Sequence, residues 1–113
     1  MTLVNLSPSA VAVNIAEDIQ GADTVTAVSA LSTVTVALAA NASRAYYSIF
    51  NAGTQTVYLR ENATVSATLY KHPIPPNHLL EREFTGTRYT GVVSVITASG
   101  TSNLMVAESS IVP

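Results

Sequence analysis

Polar and apolar residues alternate along much of this chain with the period of two that is typical of β-strands. In residues 33–38, small and hydroxyl side chains alternate with Val34, Val36 and Leu38, and the pattern predicts a strand that buries this valine and leucine face. Residues 24–28 alternate more weakly. Their valines and threonines favour a strand over a short helix, because β-branched side chains are restricted in helices.

The segment at residues 44–60 predicts a β-hairpin. Two strand-like runs flank residues 51–53, and a three-residue hairpin loop often ends with a glycine in the left-handed region, which is the place of Gly53. This register places two tyrosines opposite each other and two arginines opposite each other on one face, called here the hairpin face. The residues of the hairpin face are Arg44, Tyr46, Tyr58 and Arg60.

Further strands are predicted on both sides of a proline-rich segment. Residues 71–77 hold three of the five prolines, and because proline lacks a backbone N–H they predict an edge strand or a crossing between sheets. Residues 78–84 can form a strand. Residues 89–97 are apolar on both faces, which predicts a strand in the middle of a sheet. Residues 98–101 predict a turn that leads into a return strand at residues 104–108.

Together these segments give about seven or eight short antiparallel strands and predict an all-β fold, a β-sandwich or jelly roll. A chain of 113 residues is long enough for one hydrophobic core and too short for two. We interpret residues 1–20 as an N-terminal arm or edge segment. Residues 21–113 are predicted to form a single β-sandwich domain.

The amino-acid composition argues against some classes of binding partner and favours others. Only 11% of the residues are charged and 48% are hydrophobic, whereas a typical soluble domain has about 25% charged residues. The net charge of −2 and the lack of a basic run argue against a nucleic-acid partner. No apolar run is long enough to predict a membrane span, and the absence of cysteine excludes a disulfide scaffold. So few charges leave little to protect strand edges, which favours a homo-oligomer.

The sequence offers no pattern that predicts catalysis, a metal site or a cofactor. His72 and His78 have no third ligand beside them, and two side chains do not make a zinc site. Glu81 and Glu83 would point the same way from a strand, as a glycosidase pair could, but a solvated strand face explains them more simply. We therefore predict that the chain is not an enzyme and has no catalytic residues.

The hairpin face is the candidate interface. Tyrosine and arginine are enriched at the energetic centres of protein interfaces, and two arginines placed opposite each other would be relieved by an anionic partner. Glu61 and Glu108 are alternative partners within the chain. Equally, the two tyrosines could form a cross-strand pair that the chain covers with its own residues.

Five segments resemble small virion proteins of tailed bacteriophages. Residues 44–53 follow an R-x-x-x-x-I-x-N-x-G pattern, and residues 89–100 follow a Y-T-G-x-V-x-x-I-x-A-S-G pattern. Residues 56–59 and 74–76 are similar to the family's segments between these two patterns, and residues 104–108 are similar to the segment that follows the second pattern. In the usual pattern the proline element reads I-P-x-x-P-G, and this chain departs from it with Ile-Pro-Pro-Asn at residues 74–77.

The resemblance implies a β-sandwich virion protein. Within that group a short, single-domain chain with an arm favours a capsid decoration (cement) protein that binds the outer surface of a phage capsid and stabilises it. Its expected partners are further copies of itself, as a homotrimer, and the major capsid protein, with no nucleic acid and no membrane. It would be made in the host cytoplasm and located on the capsid surface of the virion. The alternative is a small carbohydrate-binding or host-attachment β-sandwich module of a phage fibre or tail.

Overall fold

A computed structural model describes residues 19–84 and 86–112, and these form an all-β structure without helices. Residues 1–18 of the predicted arm lie outside the described residues. The strands in chain order are β1 (Ile19–Gln20), β2 (Thr24–Ala30), β3 (Thr35–Leu38), β4 (Arg44–Asn51), β5 (Val57–Arg60), β6 (His72–Ile74), β7 (Leu79–Glu83), β8 (Val93–Thr97) and β9 (Ser102–Val112).

The strands form two antiparallel sheets. Sheet I has the order β2-β9-β4-β7, with the short β1 also paired to β9, and sheet II has the order β3-β8-β5-β6. Successive strands therefore alternate between the sheets, except that β1 and β2 both belong to sheet I and β5 and β6 are neighbours in sheet II. This is the strand order of a jelly roll, so the predicted all-β sandwich is confirmed.

The core lies between the two sheets. Strands β4 and β5 bury alternate side chains, as strands with one face on a core do, and β9 does so over residues 102–106. Strand β8 buries four of its five residues. Removing each large apolar side chain from water contributes roughly 1.5–3 kcal/mol. The fully buried apolar residues of these four strands are Tyr47, Ile49, Val57, Leu59, Val93, Val95, Leu104 and Val106.

The predicted hairpin pairing is wrong. Strands β4 and β5 exist, but β4 pairs with β7 and β9 in sheet I, whereas β5 pairs with β6 and β8 in sheet II. The residues between them cross from one sheet to the other. Asn51 directs the crossing, because its fully buried side chain donates to the carbonyls of Gln55 and Ile74 and accepts from the Ser102 hydroxyl.

The role predicted for Gly53 is also wrong. Positive φ angles among the described glycines occur at Gly86 and Gly100, not at Gly53. A Cβ atom at Gly53 would lie 2.7 Å from both the Cα of Ser102 and the backbone N of Asn103. Glycine is therefore required by the close approach of two backbones rather than by a left-handed turn.

Strand β3 buries the face opposite to the predicted one. Thr35 lies opposite Val95, which faces the core, so Val36 and its neighbour Val34 point outward and are 54% and 46% exposed. A β-bulge between Val36 and Leu38 then turns Leu38 into the core. Alternation predicted the strand correctly, but it could not choose the buried face.

The proline segment behaves as predicted, both as an edge and as a crossing. Strand β6 forms one edge of sheet II, and the chain then crosses to β7 in sheet I. The turn between them has a hydrogen bond from the His78 N–H to the Pro75 carbonyl, and Asn77 has a φ of 65°. Asparagine tolerates this left-handed conformation better than most residues.

The last two strands also confirm the predicted segments but not their pairing. Strand β8 lies inside sheet II between β3 and β5, as its apolar character on both faces predicted. The turn after it does not form a hairpin. It leads across the sandwich to β9, which lies in sheet I between β4 on one side and β1 and β2 on the other.

Candidate interaction surfaces

The structure does not bring the hairpin face together. Arg44 is fully buried, and its guanidinium donates to the Glu108 carboxylate at 2.7 Å. It also donates to the carbonyls of Ala39, Tyr89 and Gly91 at 2.7, 3.2 and 2.9 Å. Glu61 and Glu108 were the two intramolecular partners considered for the arginines of the hairpin face, and Glu108 is the one that binds Arg44. Arg44 therefore holds two loops against the sandwich and has no exposed surface.

The other three residues of the hairpin face lie on two different outer surfaces. Tyr46 is on the outer face of sheet I, where its hydroxyl donates to Glu81 at 2.8 Å. Burial, and then this hydrogen bond, raise the pKa of Tyr46. Tyr58 and Arg60 are on the outer face of sheet II, where Arg60 donates to the Thr64 hydroxyl and carbonyl. The predicted pairs of this face are therefore wrong, because its two strands belong to opposite sheets.

Tyr58 belongs to an apolar area on the outer face of sheet II. Its ring packs on Tyr70 with the centroids 4.7 Å apart, and it lies opposite Ile96 on β8 and Pro73 on β6. Val36 on β3 is exposed on the same face, opposite Ser94. Ser94 also lies opposite Arg60 on β5, and it is fully buried although it faces outward.

A continuous apolar row crosses the outer face of sheet I. Met105 on β9 lies opposite Ala27 on β2 and opposite Phe50 on β4, and Phe50 lies opposite Leu79 on β7. Met105 is 43% exposed and Leu79 is 54% exposed. The row, called here the apolar row, thus places one apolar side chain from each of four neighbouring strands side by side on the molecular surface.

The surroundings of the apolar row carry few charges. The next cross-strand row consists of Val25, Ala107, Ser48 and Glu81, so its only charge lies on the edge strand β7. Sequence reasoning missed this surface. The alternation in β9 and the apolar residues Val25, Leu79 and Met105 were visible signals, but only the strand order brings residues so distant in sequence together.

Glu61 ties the two sheets to each other. It follows β5 of sheet II, and its carboxylate accepts hydrogen bonds from Arg82 of β7 at 2.7 and 3.0 Å and from the Tyr47 hydroxyl of β4 at 2.8 Å, both in sheet I. Lys71 adds a hydrogen bond at 2.9 Å. The Arg82 guanidinium also lies 4.6 Å from the centre of the Phe84 ring. This cluster is structural, because every oxygen of the carboxylate is already engaged.

The hydrogen bonds of this cluster shift the pKa values of its side chains. Burial alone would raise the pKa of the Glu61 carboxyl, but hydrogen bonds from Arg82, Lys71 and Tyr47 outweigh it and lower the pKa to about 2. Burial, and then the hydrogen bond to Glu61, raise the pKa of Tyr47. The hydrogen bond to Glu61 raises the pKa of Arg82. Glu61 is consequently ionised at every pH at which proteins ordinarily work.

Two adjoining clefts lie beside β4, near the place where β1 meets β9. The larger has a volume of about 580 Å³ and the smaller about 460 Å³, and both include Gln20, Ala45 and Phe84. Arg88 lines the larger cleft, and its buried Nη1 atom has no hydrogen-bond partner. The smaller cleft adds Tyr46 and the two carboxylates Glu81 and Glu83. These are polar clefts that a small hydroxylated ligand could enter.

The histidines do not converge with other ligands. His72 lies in β6, and the His78 ring contacts the Pro76 carbonyl at 3.0 Å. Within residues 19–84 and 86–112, no group of three or more His, Cys, Asp or Glu side chains could hold a metal ion. The same part of the chain contains no helix that is long and apolar enough to cross a membrane.

Comparisons with known proteins give one structural likeness to report. No family model and no curated protein matches the chain. Among solved structures, the chain is similar to a protein of the Bacillus endospore appendages, described as a novel family of disulfide-linked pili. The identity is 14%, the match covers 89% of this chain and 100% of the appendage chain, and the TM-score is 0.43.

Proposed function

We propose that this chain is a structural virion protein that binds the outer surface of a phage capsid as a homotrimer and stabilises the shell. The apolar row on the outer face of sheet I is the observation that carries the proposal. The row consists of apolar side chains from four strands, and the one charge of the neighbouring row lies on the edge strand, so the surface costs little to desolvate. The major capsid protein would be the partner, and no catalytic step is required.

The mechanism follows from mass action. A protein that binds only the assembled shell lowers the free energy of that state, and stabilisation grows with the logarithm of its free concentration over the dissociation constant. Contact across the joints between capsid subunits would resist their separation. The fold agrees with such a role, since jelly rolls occur in viral capsid proteins, although the same fold also serves lectins.

Shell binding can be tested with a charge placed in the apolar row. Met105→Glu would bury an unpaired carboxylate in the contact and should weaken co-sedimentation with capsid shells at least tenfold. Val36→Glu is the matched control, because Val36 is similarly exposed on the outer face of sheet II and should leave binding unchanged. Equal losses in both variants, or none with Met105→Glu, would contradict the proposed contact. A major capsid gene next to the gene for this chain would support the assignment independently, and an adjacent tail gene would oppose it.

The second candidate is a carbohydrate-binding or host-attachment module of a phage fibre or tail. The polar clefts beside β4 favour it, because Tyr46, Glu81 and Glu83 could contact sugar hydroxyls there. A glycan array with the isolated protein separates the two functions. Strong glycan binding that Tyr46→Ala removes, without any binding to shells, would favour the module over the decoration protein.

A further inference from the structure

The four outermost strands of the sandwich differ in how they discourage added strands. Exposed strand edges are normally protected by charge, proline, shortness or a bulge, because they can otherwise pair with another chain. Strand β6 contains Pro73, and β7 carries Glu81, Arg82 and Glu83. Strand β3 has only four residues and is bulged. Each of these three edges therefore has a recognisable protection.

Strand β2 has none of these protections. It is seven residues long, its sequence TVTAVSA contains no charge and no proline, and its seven residues pair with β9 in an unbroken register. Within the described residues, β9 is its only strand partner. At about 3.4 Å per residue it offers an edge roughly 24 Å long.

The side chains of β2 are also incompletely covered. Thr26 lies opposite Val106, which is 2% exposed, so Thr26 points toward the inside of the sandwich. It is nevertheless exposed, as is Thr24, whereas Ala30 at the other end of the strand is fully buried. The first half of β2 thus extends past the cover that sheet II provides, and an additional strand would find both backbone and side-chain surface there.

The chain itself contains a segment that matches this edge. In residues 10–16, AVAVNIA, the larger apolar residues Val11, Val13 and Ile15 alternate with smaller or polar ones, and the segment has no charge and no proline. This is the pattern of a strand with one apolar face. Its seven residues equal the length of β2.

In an antiparallel return within one chain, the segment would reach only Thr24 and Val25 of β2. An antiparallel reversal just before β1 would bring Ala10 no further than opposite Val25, so residues 26–30 would meet residues 5–9, which include Pro8. A parallel arrangement needs a crossover of a dozen or more residues, and only residues 17–23 separate the segment from β2. The occupant is therefore sought on a second copy.

We propose that β2 of one copy binds residues 10–16 of a second copy as an added strand of sheet I. The interaction is main-chain β-augmentation, in which backbone hydrogen bonds supply affinity and alternate side chains supply register. Each copy has one donor segment and one acceptor edge, so the contact is heterologous and closes into a ring when the rotation permits. The proposal specifies the self-association within the proposed function and does not depend on capsid binding.

Disulfide trapping in the full-length protein tests the pairing, because the chain has no cysteine of its own. Val11, Val13 and Ile15 are each replaced by cysteine and mixed with Thr26→Cys protein under mild oxidation. Val36→Cys, on the short and bulged edge strand β3 and 54% exposed, is the matched control, because Val36 lies outside the apolar row. We expect at least one arm variant to give tenfold more mixed dimer with Thr26→Cys than with Val36→Cys, as measured by mass spectrometry.

Light scattering on the wild-type protein and on lysine variants without introduced cysteines gives the second readout, again in the absence of shells. The wild-type mass should be at least twice the 11.8 kDa of one chain, and Thr26→Lys should lower it while Val36→Lys leaves it unchanged. Circular dichroism of the exposed-site variants checks that the fold is retained. A monomeric wild-type protein, equal trapping at both edges, or an unchanged mass in Thr26→Lys would overturn the proposal. Because no shell is present, these outcomes are independent of whether the protein binds capsids.

Discussion

Arg44 is fully buried and the Glu61 side chain is 8% exposed, and each of these ionic residues makes several polar contacts within the sandwich. The bonds of Arg44 reach one carboxylate and three carbonyls, which belong to three separate parts of the chain. Glu61 receives three different donors. A buried charge with all its partners in place is tolerated, but removing one member leaves the others unsatisfied.

Arg44→Met should therefore be strongly destabilising. The substitution leaves three carbonyls and the Glu108 carboxylate without their donor, and we expect the free energy of unfolding to fall by about 3–5 kcal/mol. Arg60→Met is the matched control, because Arg60 is only half-buried and bonds to Thr64 alone; it should cost less than about 1 kcal/mol. Urea unfolding of both variants measures the difference. Similar losses would show that the bonds of Arg44 are not what stabilises the loops.

The lowered pKa of Glu61 predicts that the free energy of unfolding falls in acid. Its pKa in the folded protein is about 2, below the usual value of 4.5, so its contribution is complete above about pH 5 and is lost as the pH falls toward 2. The contribution is on the order of 2–3 kcal/mol. Glu61→Gln should lower stability by that amount at pH 7 and flatten its decline between pH 5 and pH 2 in denaturant titrations. Glu83→Gln, on an exposed strand face, should cost less than about 1 kcal/mol at pH 7.

At the scale of elements, the connection between β4 and β5 decides the topology. A hairpin there would have placed both strands in one sheet, whereas the observed crossing places them in opposite sheets. Gly53 and Asn51 make the crossing possible, since the glycine lets two backbones approach and the asparagine satisfies the turning backbone. The same residues, Asn and Gly, also favour hairpin loops, which is why the local sequence pointed to the wrong pairing.

Gly53→Ala tests the close approach. The added methyl group would meet the backbone of Ser102 and Asn103 at 2.7 Å, and relieving that contact should cost about 2–3 kcal/mol of unfolding free energy. Gly86→Asn provides the comparison, because Gly86 has open space around it and a φ of 83° that asparagine tolerates. It should cost less than about 1 kcal/mol. If Gly53→Ala proved as mild as Gly86→Asn in thermal unfolding, the crossing would not need glycine.

At the scale of the whole molecule, two polar ties join the sheets on either side of β5. Asn51 precedes β5 and links β4 to the Ile74 carbonyl of β6, whereas Glu61 follows β5 and links it to β4 and β7. The hydrophobic core fills the space between them. The outer faces of β2 and β9, by contrast, carry few charges.

The two ties should act independently. They share no hydrogen-bond partner, and they are separated by the length of β5, so the losses of stability in Asn51→Ala and Glu61→Gln should add in the double variant within about 0.5 kcal/mol. Denaturant unfolding of the two single variants and the double variant measures this. A coupling above about 1 kcal/mol would mean that the sandwich transmits strain between its ends.

The sequence by itself determined the all-β class, most strand positions and the edge character of the proline segment, because alternation, β-branched residues and prolines act locally. Only the tertiary structure decided which strands pair, which face of β3 is buried and where Arg44 lies. Pairing in a jelly roll joins residues far apart in sequence, such as Arg44 with Glu108 and Phe50 with Met105. Local patterns carry no information about such partners. Only the strand order showed that the residues of the predicted hairpin face lie on different sheets and that the residues of the apolar row lie side by side.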